Sequence, residues 1–380
     1  MEERSSDVGL AFSRKEYRQR LDRVRANMAD QGIDVLLVTS PASLNYVTGY
    51  DTASHYAAQY LILVGDGRVL MVVRALDQPA IEETTWLCSD RIRAYGEDYV
   101  DSYGFSSTRR HPVDFLLQVL RGEGLTKVRF GLEMNDHYCT ATDFTLLSAA
   151  LPDCSFKDTT QLIPRLFLIK SPAEIEYMRE AAALAEHGMR TAINAVRVGA
   201  REFEVAAEVL ATLVGLGGSP PSAFPMFQTT SACHVPWTDR RITSGTAVAI
   251  ELAGCRRRYH CPMCRTVILS GNDARTQEAA KASASAQVAG LEEILATIRP
   301  GIKAEDVAFK ADEINPGHSS RVGYAVGLAF APKWGEHTAS FKRGDQTVLQ
   351  PNMTFHAIQT LTTPFMVETV SYTHLTLPTN

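Results

Sequence analysis

VRVGAREFEVAAEVL, residues 196–210, has an echo about 102 residues further on in IRPGIKAEDVAFKA, residues 298–311. In both, a glycine (Gly199, Gly301) is followed six positions later by a valine (Val205, Val307) that an acidic residue precedes. Each copy lies between two helical stretches. Strand-rich sequence follows each, TAVAIELAG and CRTVILSG after the first, TFHAIQTL and FMVETV after the second. Self-similarity at a fixed offset marks a duplicated supersecondary unit, so the second half of the chain is read as two αβ copies.

Upstream, Ser171-Pro172-Ala173-Glu174 carries a helix start: a hydroxyl cap, proline at the first helical position and glutamate three residues after the cap. A long helix is predicted from there towards Ala195, with Ile175, Met178, Ala182 and Ala185 facing a core. Nearer the N-terminus, Tyr17, Leu21, Val24 and Met28 recur at helical spacing and stop at Gly32. IDVLLVT (33–39), QYLILVG (59–65), RVLMVVR (68–74) and KVRFGLE (127–133) read as strands, and VDFLLQVLRGEG (113–124) as a helix. Strands alternating with helices predict an α/β domain over residues 1–164, followed by an α+β domain over 165–380.

Composition narrows the classes of function. With 380 residues, 45% of them hydrophobic and 21% charged, the chain has the ordinary globular balance and enough length for two cores. No stretch approaches the roughly 20 apolar residues of a membrane span. MEERSSDVGLAF does not resemble a signal peptide, so a cytoplasmic address is expected. The net charge of −5, with no long basic run, gives no footprint for nucleic acid. Seven cysteines in a chain of this size are expected to be reduced thiols.

Two apolar runs, VAIEL and FMVETV, contain a glutamate. A carboxylate on a buried strand costs several kcal/mol unless it is paired or hydrogen-bonded. Equivalent places in two copies would let Glu251 and Glu368 converge on one cavity. Glu251 itself lies in AIELAGCRRRYHCPMCRTV (249–267), where Cys261 and Cys264 have the spacing of half a zinc site. Residues three apart on a strand point to opposite faces, and no second close cysteine pair completes a site. The RRR at 256–258 reads as a short exposed turn.

These motifs resemble the creatinase and aminopeptidase P superfamily. FSRKEYRQRLDRVRANMADQGIDVLLVTSPASLNYVTGYD looks like the creatinase-type N-terminal domain, and IKSPAEIEYMREAA like the entry helix of the catalytic domain. Within the superfamily the sequence is most similar to ectoine hydrolases, through FSRKEYRQRLDRVRANM, IELAGCRRRYHCPMCRTV, YAVGLAFAPKWGEHTAS and PNMTFHAI. The resemblance implies an α/β creatinase-like N-terminal domain and an α+β pita-bread catalytic domain of two αβ repeats.

Metal-dependent members of the superfamily hold two ions on five ligands. Those positions fall here on Glu251, Pro262, Tyr324, near Ile358, and Glu368; proline and isoleucine cannot bind metal. The resemblance therefore implies the metal-free branch, with no cofactor. ACHVPWTDR supplies the histidine of that branch as His234, suited to take a proton from water and return it to a leaving nitrogen. The substrate implied is ectoine, a cyclic amidine bearing a carboxylate, opened at a C–N bond to N-acetyl-L-2,4-diaminobutyrate. His234, Glu251 and Glu368 are the candidate catalytic residues. Glu251 attacks or orients water, and Glu368 stabilises the cation. Trp237, Tyr259, His260, Arg265, Tyr324, Trp334 and His337 are the candidate substrate-binding residues, aromatic faces suiting an amidinium.

Three other readings compete. A creatinase has a glutamate where this chain has Cys264, an Xaa-Pro peptidase needs the absent ligands, and an inactive binding module needs neither His234 nor the carboxylates. The resemblance also implies a homodimer in which TGYDTASHYAAQ (48–59) approaches the partner's active site. GLGGSPPSAFPMFQTTSAC (215–233) is shorter than the family pattern. The ending VSYTHLTLPTN resembles translated sequencing-adapter sequence, so the expectation is a truncated chain with a non-native tail after about residue 370.

Overall fold

The computed structural model describes residues 9–99, 110–229, 234–269, 271, 274–314, 321–360 and 368–371. They fall into two compact units, Met1–Phe167 and Leu168–Asn380.

In the first unit, α1 (Arg14–Asp30) starts at Ser13, whose hydroxyl accepts from the Glu16 N–H, and buries Tyr17, Leu21, Val24 and Met28. There follow β1 (Val35–Val38), α2 (Pro41–Thr48), β2 (Tyr60–Val64), β3 (Val69–Arg74), α3 (Gln78–Thr84) and β4 (Ile92–Tyr95). After these come α4 (Pro112–Gly122), β5 (Arg129–Leu132), α5 (Ala141–Ala150), β6 (Ser155–Asp158) and α6 (Pro164–Phe167). The strands form one sheet in the order β4-β3-β2-β1-β5-β6. Every residue of β1, β2 and β3 is buried. Their apolar runs show no alternation because both faces of the sheet are covered.

The second unit opens on α7 (Pro172–Ala195), capped as its sequence predicts. The Ser171 hydroxyl accepts from the Glu174 N–H, and the Glu174 carboxylate accepts from the Ser171 N–H at 2.7 Å. Next come α8 (Glu202–Gly215), β7 (Met226–Gln228), β8 (Ala247–Arg256), β9 (Tyr259–Ile268), α9 (Ala274–Thr297) and α10 (Ala304–Ile314). The chain continues through β10 (Arg321–Val326), β11 (Gly335–Lys342), β12 (Phe355–Thr360) and β13 (Glu368–Ser371). The strands make two sheets, β7-β8-β9 and β11-β10-β12-β13. A Tyr259–Leu328 bridge joins them, and the His260 N–H donates to the Gly327 carbonyl.

The duplication is visible in backbone hydrogen bonds. Gly199 and Gly301 both take a left-handed conformation, φ 90° and 89°, which a residue with a Cβ adopts at a cost. The Gly199 N–H donates to the Ile242 carbonyl, and the Gly301 N–H to the Leu349 carbonyl. Bridges follow at equivalent places, Arg201 with Arg241 and Lys303 with Val348. The two copies thus share the helix–turn–helix joint and the backbone bridge that clamps it.

Hairpin register decides what faces what. β8 and β9 turn at Arg257 and Arg258, both at positive φ, and pair Glu251 with Cys264, Ala253 with Pro262 and Ile250 with Arg265. Side chains alternate between faces along a strand. Val248, Ile250 and Leu252, with Met263, pack into a core with Leu184, Val205 and Val209 of α7 and α8. Glu251 and Ala253 face the other way. Cys261 packs against Ala181 and Ala182 of α7, whereas Cys264 shares the face of Glu251, so the two thiols do not converge. The helix–sheet approach is closest at Gly254, where a Cβ would lie 2.0 Å from the Ala181 carbonyl oxygen.

Candidate active site

The face of β8 that carries Glu251 forms one wall of a cavity of about 700 Å³ within the second unit. β7 pairs Met226 with Glu251, and Met226, Ala253 and Trp334 pack together beside it. Glu251 is half-buried, so its carboxylate reaches the cavity without the full cost of a buried charge. Tyr324 of β10, which packs against that cluster, Trp334, His234 and His337 are the other lining groups expected from sequence. Both histidines hold left-handed backbone, φ 58° and 55°. For a residue with a Cβ that conformation costs on the order of 1–3 kcal/mol and clusters at functional sites.

Tyr324 is held by two neighbouring side chains. Its oxygen accepts from Trp334 Nε1–H at 2.8 Å and lies 2.9 Å from His356 Nδ1. Burial and the Glu251 carboxylate both push the phenol above its ordinary pKa, so it stays protonated. His356 is fully buried, and burial lowers its ring to about 3, so it is neutral.

Four of the expected substrate-binding residues do not line the cavity. Tyr259 lies on the α7 side of β9, stacks on Tyr177 and donates to the Glu174 carboxylate at 2.7 Å. Arg265, opposite Ile250, shares the helix-facing side and donates to the Cys264 carbonyl. His260 is buried behind Ser222: its Nε2 accepts from the Ser222 N–H at 2.9 Å, and its Nδ1 donates to the Arg258 carbonyl. Burial lowers its pKa to about 4. Trp237 packs edge-to-face behind Phe224, which does line the cavity. Glu368 opens β13, paired with Thr360; its side chain lies outside the described residues.

Sequence reading missed Arg321, Lys333, Ser222 and Ser340, all of which line the cavity. The Arg321 guanidinium lies 4.7 Å from the centre of the Tyr324 ring. It starts the strand whose Tyr324 had been singled out, but which way it points depends on irregular pairing with β11, shifted between Arg321 and Tyr324.

The family model for metallopeptidase family M24 matches residues 176–364, and that for the creatinase/prolidase N-terminal domain matches residues 20–178. The chain belongs to the creatinase/aminopeptidase P superfamily. Among superfamily relatives, an uncharacterized hydrolase/peptidase of Sinorhizobium fredii is 38% identical over 91% of this chain and 89% of its own length. The ectoine hydrolase of Halomonas elongata is 32% identical over 92% of this chain and 90% of its own. A prolidase from Thermococcus sibiricus shares the pita-bread fold, with a TM-score of 0.78 at 17% identity over 93% of both chains.

The M24 name implies metal, and the donor set can be tested for it. On the cavity side of the hairpin, Glu251 is flanked by Met226, Ala253, Cys264 and Pro262. By the resemblance, the position of the family's second aspartate falls on Pro262 and that of its first glutamate near Ile358 on β12. Among the described residues no three His, Cys, Asp or Glu side chains gather closely enough to hold an ion. These residues do not fit the superfamily's dinuclear centre.

Proposed function

We infer that this superfamily member is a metal-independent hydrolase that opens the ring of ectoine at a C–N bond, giving N-acetyl-L-2,4-diaminobutyrate. One observation carries the reading: Glu251 and His234 line one cavity with Tyr324 and Trp334, while two of the five ligand positions offer proline and isoleucine. The identity with an ectoine hydrolase over nine-tenths of the chain supports the choice of substrate.

Each part of the substrate finds a complementary group. The delocalised amidinium lies against the aromatic faces of Tyr324 and Trp334 with the Glu251 carboxylate beside it. The substrate carboxylate is met by Arg321 and Lys333. Glu251 orients a water whose oxygen bonds to the amidine carbon as His234 takes one of its protons. The C–N bond then breaks with its electron pair on nitrogen, which His234 protonates, while the remaining hydroxyl proton passes to Glu251 as the amide carbonyl forms and from there to the released amine. Glu368 adds a second carboxylate to hold the cation.

The active form is a homodimer acting in the cytoplasm, a part of the proposal that light scattering and cell fractionation address. Among the described residues no helix is long and apolar enough to cross a membrane.

Steady-state kinetics on ectoine test the roles. Glu251→Gln and His234→Ala should each lower kcat by roughly 10²–10⁴, the usual contribution of a general acid or base. Either variant keeping half of the wild-type kcat would remove that residue from the mechanism.

A further inference from the structure

We propose that the Tyr324 hydroxyl is a fixed hydrogen-bond donor into the cavity, held there by Trp334 and His356, and that it receives the carboxylate of the substrate. The ligand chemistry rests on the reading given above; the donor arrangement does not.

The protons available at the Tyr324 oxygen allow two arrangements. An indole N–H can only donate, so the Tyr324 oxygen accepts from Trp334. The contact with His356 Nδ1 can run either way, depending on the tautomer. If His356 carries its proton on Nε2, Tyr324 spends its own proton on Nδ1 and shows the cavity only a lone pair. If the proton is on Nδ1, the Tyr324 oxygen accepts twice and its hydroxyl proton is left for the cavity.

Two observations select the second arrangement. His356 Nε2 is buried and has no hydrogen-bond partner among the described residues. Placing the proton there would leave an orphaned N–H, which folded proteins tolerate less well than an under-used acceptor. The Glu251 carboxylate also acts on the Tyr324 phenol across the cavity. A proton turned towards that charge is favourable, whereas a lone pair is not.

A phenol that accepts two hydrogen bonds has no rotational choice left for its proton. The donor is therefore preorganised, and an oxygen acceptor binds it without reorganisation cost. Arg321 lies over the same ring and lines the same cavity. A neutral donor beside a guanidinium suits a carboxylate and offers nothing to an amidinium, whose N–H groups only donate. His356 and Trp334 are positioning residues, and Tyr324 makes the contact.

The first test needs no activity. Long-range ¹H–¹⁵N correlation of the full chain with ¹⁵N-labelled histidine, assigned against H356N, reports which ring nitrogen of His356 is protonated. A protonated Nδ1 is expected; an unprotonated Nδ1 overturns the proposal.

The second test is calorimetric binding of ectoine and of the same cyclic amidine without its carboxylate. Tyr324→Phe should weaken ectoine roughly tenfold, the loss of one hydrogen bond to a charged group, and leave the carboxylate-free amidine unchanged. H356N, which keeps an N–H near the Nδ1 position, should bind ectoine within about threefold of wild type, while His356→Leu should match Tyr324→Phe. In a Tyr324→Phe background neither His356 change should have a further effect. Equal weakening of both amidines by Tyr324→Phe would overturn the carboxylate assignment. Failure of the wild type to bind either amidine would overturn that assignment with the proposed substrate, while the tautomer still decides the donor arrangement.

Discussion

Replacing Lys170 by methionine should make the stability of the second unit depend steeply on pH. Lys170 Nζ and Glu336 Oε1 lie 2.5 Å apart with both side chains fully buried. Burial raises the Glu336 carboxyl to about 7 even though Lys170 pulls it down. Without the ammonium, the folded pKa rises further and Glu336 stays neutral through the working range. In the unfolded chain the same carboxyl ionises at about 4.3. A folded pKa above the unfolded one gives stability that is complete below about pH 4.3 and is lost as pH rises, at about 1.4 kcal/mol per unit.

The magnitude follows from that slope. Relative to K170M/E336Q, which has no charge to bury, K170M should be less stable by about 1 kcal/mol at pH 5 and about 5 kcal/mol at pH 8. The upper figure agrees with the ~3–5 kcal/mol that accompanies removal of one partner from a buried pair. Urea unfolding followed by tryptophan fluorescence, at intervals between pH 5 and 8, measures the difference directly. A gap that does not widen with pH, or that stays below about 1 kcal/mol at pH 8, refutes the claim that this pair is held away from water. The pair also bears on the cavity, since Glu336 lies between Gly335 and His337, both of which line it.

Two further outcomes follow from packing and burial. Gly254→Ala sets a methyl 2.0 Å from the Ala181 carbonyl oxygen and 2.5 Å from the Ala185 nitrogen; α7 must shift, and thermal unfolding should show a loss of about 3 kcal/mol or more, a loss under 1 kcal/mol refuting the contact. His260 and His356 are held down to about 4 and about 3 by burial, so below about pH 6.5 the unfolded chain binds protons that the folded chain refuses and stability falls with pH, by up to about 1.4 kcal/mol per unit for each ring. His260→Asn and H356N should each flatten urea-derived stability between pH 6.5 and 4, and unchanged slopes would show that these rings are not dry.

Local signals in the sequence carried the elements that local chemistry dictates. The Ser171 cap, the apolar stripe of α1 and the strands β1, β2 and β3 needed only a few neighbouring residues to be read. The repeat was legible because each copy needs a glycine at the same left-handed joint. Short elements such as β4, β6 and β7 were not, since IRAY, SFKD and MFQ put charged or polar residues among three or four positions and offer no apolar run like the VLLV of β1.

The site divided along a different line. His234, Glu251, Tyr324, Trp334 and His337 line the cavity, while Tyr259, His260 and Arg265 came from the same motifs and do not. Hairpin register excludes two of them: the turn at Arg257 and Arg258 puts Tyr259 and Arg265 on the helix side and Cys264 beside Glu251, while His260 shares the face of Glu251 but is covered by Ser222. A shift of one residue would exchange those faces. His356 was invisible for a related reason, because it meets Tyr324 only through the pairing of β12 with β10.

Incubation of the purified protein with ectoine in the presence of a strong chelator, followed by NMR, tests the central claim most directly, with hydroxyectoine, creatine and an X-Pro dipeptide with added manganese run alongside. The account predicts ring opening of ectoine to an N-acetylated diaminobutyrate that survives chelation and is lost in His234→Ala and Glu251→Ala. Hydrolysis of the dipeptide that depends on manganese, or no turnover of ectoine by the wild type, would contradict it.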